Sequence, residues 1–300
     1  MNVHFTSSED MSELDDESVA HIVTSPPYNV NWQYGDYDDG MGYYDEYLPL
    51  LARVFTECYR VLKPGGRACI NVPDLVRDGP HGGFPVSSDI MSMMTDPEMA
   101  DFHHESVHRI NDECDWRIRE VICWAKGFNS AGFGPMGSFP RPYGIMMNNF
   151  HEVILVCQKP GTRDFSNMSD EVKHTSEQQL RAKKATCGEL TDDVWNIHPD
   201  TPDRKYGQSV PVFPMELPIR SIILWSYAGD MILDPFTGTG TTLAAAKRLG
   251  REYVGYELRD ELYSVISNRL NDVSEWDFSE DFHESDVPGW EPDTNPVEEW

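Results

Sequence analysis

The sequence predicts an α/β protein with one doubly wound, mostly parallel sheet of seven strands and helices on both faces. Short apolar runs rich in β-branched residues alternate with longer segments whose apolar residues recur at helical spacing, a pattern typical of this class. With 300 residues and 39% hydrophobic content, the chain is long enough for one large domain around a substantial core. The predicted strands are residues 3–6, 21–24, 67–72, 120–124, 152–158, 231–234 and 252–257.

Three predicted helices follow the same logic. Residues 43–62 carry apolar side chains at helical spacing and stop at Lys63-Pro64-Gly65-Gly66, a run that breaks a helix before the next strand. Residues 241–249 end at Gly250, and residues 260–273 continue the apolar pattern. We expect all three helices to face the core.

Two stretches, residues 74–115 and 160–208, interrupt this rhythm and are candidates for inserted lobes or mobile loops. If DNA is the partner, we expect its sequence to be read by region 159–208, and a solvated helical excursion without a specific role is the alternative. Residues 272–300 hold 11 acids and no Lys or Arg, which predicts a flexible acidic tail. Region 159–208 holds eight of the 24 basic residues: Lys159, Arg163, Lys173, Arg181, Lys183, Lys184, Arg204 and Lys205.

The net charge of −27 is unusual for a protein that grips phosphates, because nucleic-acid binding normally uses a basic face. Arg outnumbers Lys by 16 to 8, and the acids are spread along the chain as well as gathered near its end. Both features are typical of a protein from a very salty cytoplasm, where at about 1 M salt the Debye length shrinks to about 3 Å. We therefore infer a halophilic protein, expected to lose structure in dilute buffer, whose net charge does not exclude DNA.

Other features favour a soluble, intracellular protein without a metal site. No segment approaches the roughly 20 apolar residues of a membrane span, and the first residues do not resemble a secretion signal. The six cysteines are widely spaced and lack zinc-ligand patterns, so we expect reduced, mostly buried thiols. His81, His103, His104 and His108 share one stretch, and we expect them to serve packing or the surface rather than a metal.

The first candidate site is Ser25-Pro26-Pro27-Tyr28, directly after the predicted strand 21–24. Two consecutive prolines fix two φ angles and remove two N–H donors, which makes a stiff turn that presents carbonyl acceptors. Ser25 adds a hydroxyl and Tyr28 an aromatic face at a strand end, where open α/β sheets bind ligands. A proline turn that only ends the strand is the alternative.

These groups suit chemistry on the exocyclic amine of a base. Such an amine is a poor nucleophile because its lone pair is delocalised into the ring, so it needs acceptors for its two N–H groups. Ser25 Oγ and the Pro26 carbonyl are the candidate acceptors, and Tyr28 is a surface on which a base swung out of a duplex would stack. No cysteine follows a proline in a turn suited to attack on a ring carbon, which argues against cytosine-C5 chemistry.

The second candidate site is Asp234-Pro235-Phe236-Thr237-Gly238-Thr239-Gly240-Thr241-Thr242, between strand 231–234 and a helix. Glycines at such a turn let the backbone approach a ligand, and the helix N-terminus offers free N–H donors. Glu257 ends the next strand, 23 positions after Asp234, where an acid can accept hydrogen bonds from ribose hydroxyls. The third glycine of a dinucleotide loop and the lysine of a phosphate loop are absent. The pattern favours a phosphate-free nucleoside cofactor over NAD or ATP.

These two motifs, in this order, resemble the permuted β class of DNA amino-methyltransferases. The resemblance covers roughly residues 3–270 and includes several shorter segments: 16–19, 62–66, 122–126, 152–156, 194–197, 213–214 and Asp230. It implies a Rossmann-like methyltransferase sheet, S-adenosyl-L-methionine as the cofactor and double-stranded DNA as the substrate. Members with serine at the first motif position are mostly cytosine-N4 enzymes, so Ser25 favours cytosine N4 over adenine N6.

The resemblance also implies a division of labour along the chain. Residues 1–271 would be one catalytic domain in permuted order, with a catalytic half 1–158, a target-recognition region 159–208 and a cofactor-binding half 209–271. The cofactor would lie on residues 234–242 and Glu257, with Phe213 and Pro214 near its methionine end. The target amine would be held by Ser25, Pro26, Pro27 and Tyr28.

One departure from the family lies at Thr6-Ser7-Ser8, where a Gly-Asp pair usually stands, so the contact to the adenine ring on that side is unassigned. The halophilic composition makes the chain similar to modification methylases of salt-loving archaea, some of which act on CTAG. A restriction enzyme is then a candidate partner and a homodimer a candidate assembly. The alternatives are an adenine-N6 enzyme, an RNA substrate, a non-catalytic DNA-binding protein and an NAD-linked oxidoreductase.

Overall fold

A single mixed sheet forms the centre of the computed structural model. The structure describes residues 1–30, 33–34, 37–38, 40–77, 83–95, 114–127, 136–138, 140–147, 149–199 and 212–275. The four histidines considered for a metal, the basic pair Arg204 and Lys205, and tail residues 276–300 lie outside these described residues.

The main sheet has eight strands, so the α/β class is confirmed but the predicted count of seven was wrong. The seven predicted segments all form strands, and the additional edge strand, Val194–Asn196, is only three residues long. Its single buried side chain, Trp195, is too little for a periodic pattern to reveal. The strands are β1 (Val3–His4), β2 (Val19–Thr24), β3 (Leu62–Val72), β4 (Arg117–Ala125), β5 (His151–Gln158), β6 (Val194–Asn196), β7 (Met231–Asp234) and β8 (Glu252–Tyr256).

The order across the sheet is β1-β8-β7-β2-β3-β5-β4-β6. Strands β1, β8, β7, β2 and β3 are parallel to their neighbours in this half. Strand β5 is antiparallel to both β3 and β4, and β6 is parallel to β4. Because β5 runs the opposite way, its first residues lie at the same edge of the sheet as the last residues of the parallel strands.

Helices cover both faces of this sheet. One apolar cluster packs α1 and α2 against it, and a second cluster on the other face includes α4 and α5. A π-helical turn, Tyr43–Tyr47, leads into the first helix. The helices are α1 (Leu48–Val61), α2 (Val86–Thr95), α3 (Asp170–Thr186), α4 (Glu216–Trp225), α5 (Thr241–Arg248) and α6 (Tyr263–Asp272).

The segment after α1 differs from the prediction. The run 63–66 was expected to separate the helix from the next strand, but β3 begins directly at Leu62. Gly65 adopts a φ of 77°, and its N–H donates to the Lys159 carbonyl at 3.0 Å. The Pro-Gly-Gly run therefore breaks the helix while the chain continues as an irregular edge of the strand.

The polar stretch 160–208 is more regular than expected, because it contains α3 and β6. Ser169 caps α3 by accepting the Val172 N–H at 3.3 Å, acids occupy its first turn and lysines its last, which complements the helix dipole. Gln179 on α3 is buried and donates to the Leu249 carbonyl at 3.3 Å. The helix is therefore docked on the sheet-covering layer rather than extending into solvent.

Two expectations about side chains and spans meet the structure directly. All six cysteines are free, and every one except the half-buried Cys123 is buried, as predicted. Within the described ranges, no helix is long and apolar enough to cross a membrane.

Candidate active site

The two sequence motifs lie side by side at the point where the winding of the sheet changes direction. From β2 the chain continues to β3 on one side, whereas from β7 it continues to β8 on the other, and β2 and β7 are neighbours. Ligands in open α/β sheets bind at such a switch point, outside the carboxyl ends of the strands. Thr24 at the end of β2 donates to Asp234 Oδ1 at the end of β7, at 2.7 Å.

The turn Ser25-Pro26-Pro27-Tyr28 follows β2 and is fixed by three hydrogen bonds. Ser25 Oγ lies 2.9 Å from the Tyr28 hydroxyl and 3.1 Å from the Asn71 carbonyl oxygen. The Tyr47 hydroxyl donates to the Pro27 carbonyl at 2.8 Å. Both ends of the turn are therefore held by the body of the protein, on β3 and in the turn before α1.

Behind this turn lies a polar cluster that the sequence motifs did not identify. Glu152, at the beginning of β5, accepts hydrogen bonds from the Tyr28 hydroxyl at 2.8 Å and from Asn71 Nδ2 at 2.7 Å. Its other oxygen pairs with the Lys126 ammonium, which also lies 4.7 Å from the centre of the Trp124 ring. Burial and the nearby Glu152 carboxylate raise the pKa of Tyr28 well above its ordinary value, so the phenol keeps its proton.

The glycine turn after β7 has the geometry that the motif predicts. Gly238 and Gly240 adopt φ values of 52° and 83°, in the region that favours glycine, and Gly240 precedes the first residue of α5. Glu257 Oε2 accepts the Gly238 N–H at 2.8 Å, and its other oxygen accepts two bonds from Arg259. The carboxylate thus lies directly over the glycine turn.

Asp234 lies beneath this turn rather than in it. The side chain is 1% exposed and also accepts the Phe236 N–H at 3.1 Å. Burial raises the pKa of Asp234 to about 6, although the hydrogen bond from Thr24 acts in the opposite direction. Its contacts make it a support for both turns.

A cavity of about 410 Å³ joins the two turns. Polar side chains and aromatic faces from six neighbouring segments surround it, including Thr6, Ser7 and Ser8 after β1. Of the residues predicted for the site, Asp234, Gly240, Thr242 and Pro214 do not line the cavity. Those that do are Ser25, Pro26, Pro27, Tyr28, Phe213, Pro235, Phe236, Thr237, Gly238, Thr239, Thr241 and Glu257.

The cavity wall also includes residues that sequence reasoning did not assign. Lys126 and Trp124 come from the end of β4, and Glu152 comes from the start of β5. Each belongs to a segment that resembles the methyltransferase class, but nothing in the linear sequence indicates which side chains meet. A prediction that β5 is antiparallel would have placed Glu152 at this edge.

Fold and site together define a doubly wound α/β protein with one ligand cavity at the switch point of its sheet. The chain belongs to the N6/N4 DNA methylase family, whose model, described as DNA methylase, matches residues 19–268.

Relatives with known names cover most of the chain. The Type II methyltransferase M.MjaI of Methanocaldococcus jannaschii is 30% identical and spans 89% of this chain and 89% of its own length. The Type II methyltransferase M.MthZI of Methanothermobacter thermautotrophicus is 29% identical over 90% of this chain and 76% of its own length. The similarity is therefore not confined to the two motifs.

Solved structures have a similar fold. The DNA modification methylase TTHA0409 of Thermus thermophilus, in complex with S-adenosyl-L-methionine, aligns with a TM-score of 0.62 and 26% identity over 96% of this chain and 95% of that chain. The cytosine-N4-specific PvuII DNA methyltransferase aligns with a TM-score of 0.59 over 93% of this chain and 91% of that chain. At 17% identity, the second likeness concerns the fold alone.

Proposed function

We propose that this chain is a site-specific DNA methyltransferase that transfers a methyl group from S-adenosyl-L-methionine to the exocyclic amine of a base, with cytosine N4 as the favoured target. The observation that carries this proposal is that the Ser25–Tyr28 turn and the Gly238–Glu257 pair line the same cavity. One turn supplies groups suited to an amine and the other supplies groups suited to a nucleoside, so both substrates would meet there.

The residues around the glycine turn fit S-adenosyl-L-methionine. Each Glu257 carboxylate oxygen already accepts hydrogen bonds from the protein but has further acceptor capacity for ribose hydroxyls. Phe213 and Phe236 offer apolar faces, and Thr6 to Ser8 offer hydroxyls on the opposite wall. When bound, this substrate supplies an electrophilic methyl group on a sulfonium.

The residues of the other turn would hold the amine. Ser25 Oγ and the Pro26 carbonyl would accept its two N–H groups and align its nitrogen with the methyl group, while Tyr28 and Trp124 would flank a base flipped from the duplex. The amine nitrogen forms the new bond to carbon and then loses one proton to solvent through these acceptors. No covalent bond to the enzyme is needed.

Cytosine N4 is favoured over adenine N6 because serine occupies the first position of the motif, as in most cytosine-N4 members of the class that the sequence resembles. We further propose that region 159–208 contributes to target recognition and that the enzyme serves a modification system, as the names of the Type II relatives suggest. In the described part of that region, Arg181 is exposed, whereas Lys159, Arg163 and Lys183 make ion pairs with other parts of the chain.

The test is transfer of labelled methyl from S-adenosyl-L-methionine to unmethylated DNA, at low and at molar KCl, followed by identification of the modified nucleoside. Label in N4-methylcytosine that disappears in Ser25→Ala supports the whole proposal, and CTAG-containing duplexes are the first targets to compare. Label in N6-methyladenine would retain the mechanism and overturn the base assignment. Cofactor binding without transfer to any DNA would instead favour RNA as the substrate or a non-catalytic DNA-binding role.

A further inference from the structure

We propose that Glu152 is a positioning residue for methyl transfer: its carboxylate sets the direction of the hydrogen bonds around Tyr28, so that the Ser25 hydroxyl faces the cavity only as an acceptor. This inference rests on the proposed function, because it concerns how the target amine is held. It adds to that function a role for Glu152, Lys126 and Asn71, none of which belongs to either sequence motif.

The first step is that Glu152 acts as a pure acceptor. It is 8% exposed, yet it contacts three donors, the Tyr28 hydroxyl, Asn71 Nδ2 and the Lys126 ammonium. A buried carboxylate keeps its charge only where cations and hydrogen-bond donors compensate it, and these three groups do so. An ionised carboxylate cannot donate, so each of these bonds has a fixed direction.

The second step concerns the single proton of Tyr28. Because that proton points to Glu152 at 2.8 Å, the phenol oxygen must accept from its other two neighbours. One of these is Asn71 Nδ2, at 2.8 Å, and the other is Ser25 Oγ, at 2.9 Å. Tyr28 is thus barred from donating to Ser25.

Asn71 reinforces this arrangement. Its side chain is 1% exposed and directs Nδ2 towards both Glu152 and Tyr28. Flipping the amide would put its oxygen against the Glu152 carboxylate, so the donor orientation is the stable one. The amide keeps this orientation although its Oδ1 has no hydrogen-bond partner among the described residues. The price of that orphaned oxygen indicates how strongly Glu152 fixes the cluster.

The third step reaches the Ser25 hydroxyl. Its proton has two acceptors on the protein side, the Tyr28 oxygen at 2.9 Å and the Asn71 carbonyl at 3.1 Å. With the proton held there, the lone pairs of Oγ remain for the cavity. That is the state an amine needs, since it must donate its hydrogens while its own lone pair attacks the methyl group.

The experiment is Glu152→Gln in the full chain, with kcat and both KM values measured for methyl transfer to DNA. The amide nitrogen of glutamine would donate to Tyr28, whose proton would then turn to Ser25 and occupy one of its lone pairs. We expect kcat to fall by about tenfold or more, with the KM for S-adenosyl-L-methionine within about twofold of wild type. Glu57→Gln is the matched control, because Glu57 also accepts bonds from a cation and an N–H, but lies outside the cavity.

A double-mutant cycle separates positioning from a purely structural role. Tyr28→Phe removes the hydroxyl that connects Glu152 to Ser25, so Glu152→Gln should have little further effect on kcat in that background. Multiplicative losses in the two variants, or an unimpaired Glu152→Gln, would overturn the inference while leaving the proposed function intact. A wild-type enzyme that methylates no DNA would instead overturn the proposed function and this inference with it.

A further variant guards against unfolding. If Glu152→Gln alone fails to fold because the Lys126 charge is unbalanced, Glu152→Gln is combined with Lys126→Met and compared with Lys126→Met alone. The same loss of kcat, again absent in the Tyr28→Phe background, is the expected result, and equal rates in the two variants would overturn the inference.

Discussion

The Thr24 hydroxyl donates a hydrogen bond of 2.7 Å to Asp234 Oδ1, which joins the ends of two neighbouring strands across 210 positions of sequence. The turn of Ser25 and the turn of Gly238 each begin one residue or a few residues after this bond. The spacing of the two turns is therefore set by the register of β2 and β7, and not by the long chain between them.

Asp234 predicts a specific pH dependence of stability. Its carboxyl has a folded-state pKa of about 6 against an ordinary value of 3.8, so between these pH values the folded state binds more protons than the unfolded state. This contribution therefore makes the free energy of unfolding fall as pH rises from about 4 to about 6. Asp234→Asn should flatten the curve in that window, measured by denaturant unfolding at fixed molar salt. Asp192→Asn, at an exposed position, is the control, and an unchanged slope in Asp234→Asn would contradict the prediction.

Gly240 predicts a backbone effect on the glycine turn. Its φ is 83°, and a Cβ there would lie 3.1 Å from Ile266 Cγ2 on α6. Gly240→Ala should lower the free energy of unfolding by about 1–2 kcal/mol or more, because an L side chain is strained in this region. Gly188→Ala is the matched control, since a Cβ at that position meets no atom within 4 Å. Equal stability of the two variants would exclude the strain argument.

Glu257 predicts the strength of cofactor binding under the proposed function. Glu257→Gln keeps the side-chain shape but removes the charge that strengthens hydrogen bonds to ribose hydroxyls. We expect roughly tenfold or weaker affinity for S-adenosyl-L-methionine, measured by calorimetry without DNA. Glu252→Gln, at the exposed beginning of the same strand, should bind as wild type does. Unaltered affinity in Glu257→Gln would remove this residue from the cofactor site.

Periodic and motif-based features were predictable from the sequence. Runs such as Met231–Asp234 and His151–Gln158 are buried over most of their length, and their composition identified them as strands. The two turns were predictable because prolines and glycines restrict or extend backbone freedom in ways that depend only on local sequence.

The Glu152 cluster was not predictable because it depends on strand direction. Glu152, Lys126 and Asn71 come from three strands or strand ends that meet only after β5 pairs antiparallel with β3 and β4. Polar side chains buried in this way interrupt an apolar pattern without indicating their partners. Strand β6 escaped for a related reason, since three residues with one buried tryptophan carry no period.

Arg163 tests whether basic residues of region 159–208 serve the fold or the partner. Its guanidinium forms a paired contact with Asp230, which is 5% exposed on its side chain, and Asp230 also accepts the Tyr227 N–H at 2.7 Å. Removing one member of a buried ion pair leaves the other charge uncompensated, so Arg163→Gln should lower the free energy of unfolding by about 3 kcal/mol. Arg181→Gln, on the exposed side of α3, should change it by less than about 0.5 kcal/mol.

The same two variants, compared at a temperature where both are folded, separate the roles of these arginines. Because Arg163 is committed to Asp230 and Arg181 faces solvent, only Arg181→Gln should weaken binding to duplex DNA, by a factor that shrinks as salt rises. A folded Arg163→Gln that loses DNA affinity while Arg181→Gln keeps it would reverse the assignment. It would mean that the ion pair holds the DNA-contacting surface in place, and that the exposed face of α3 points away from the duplex.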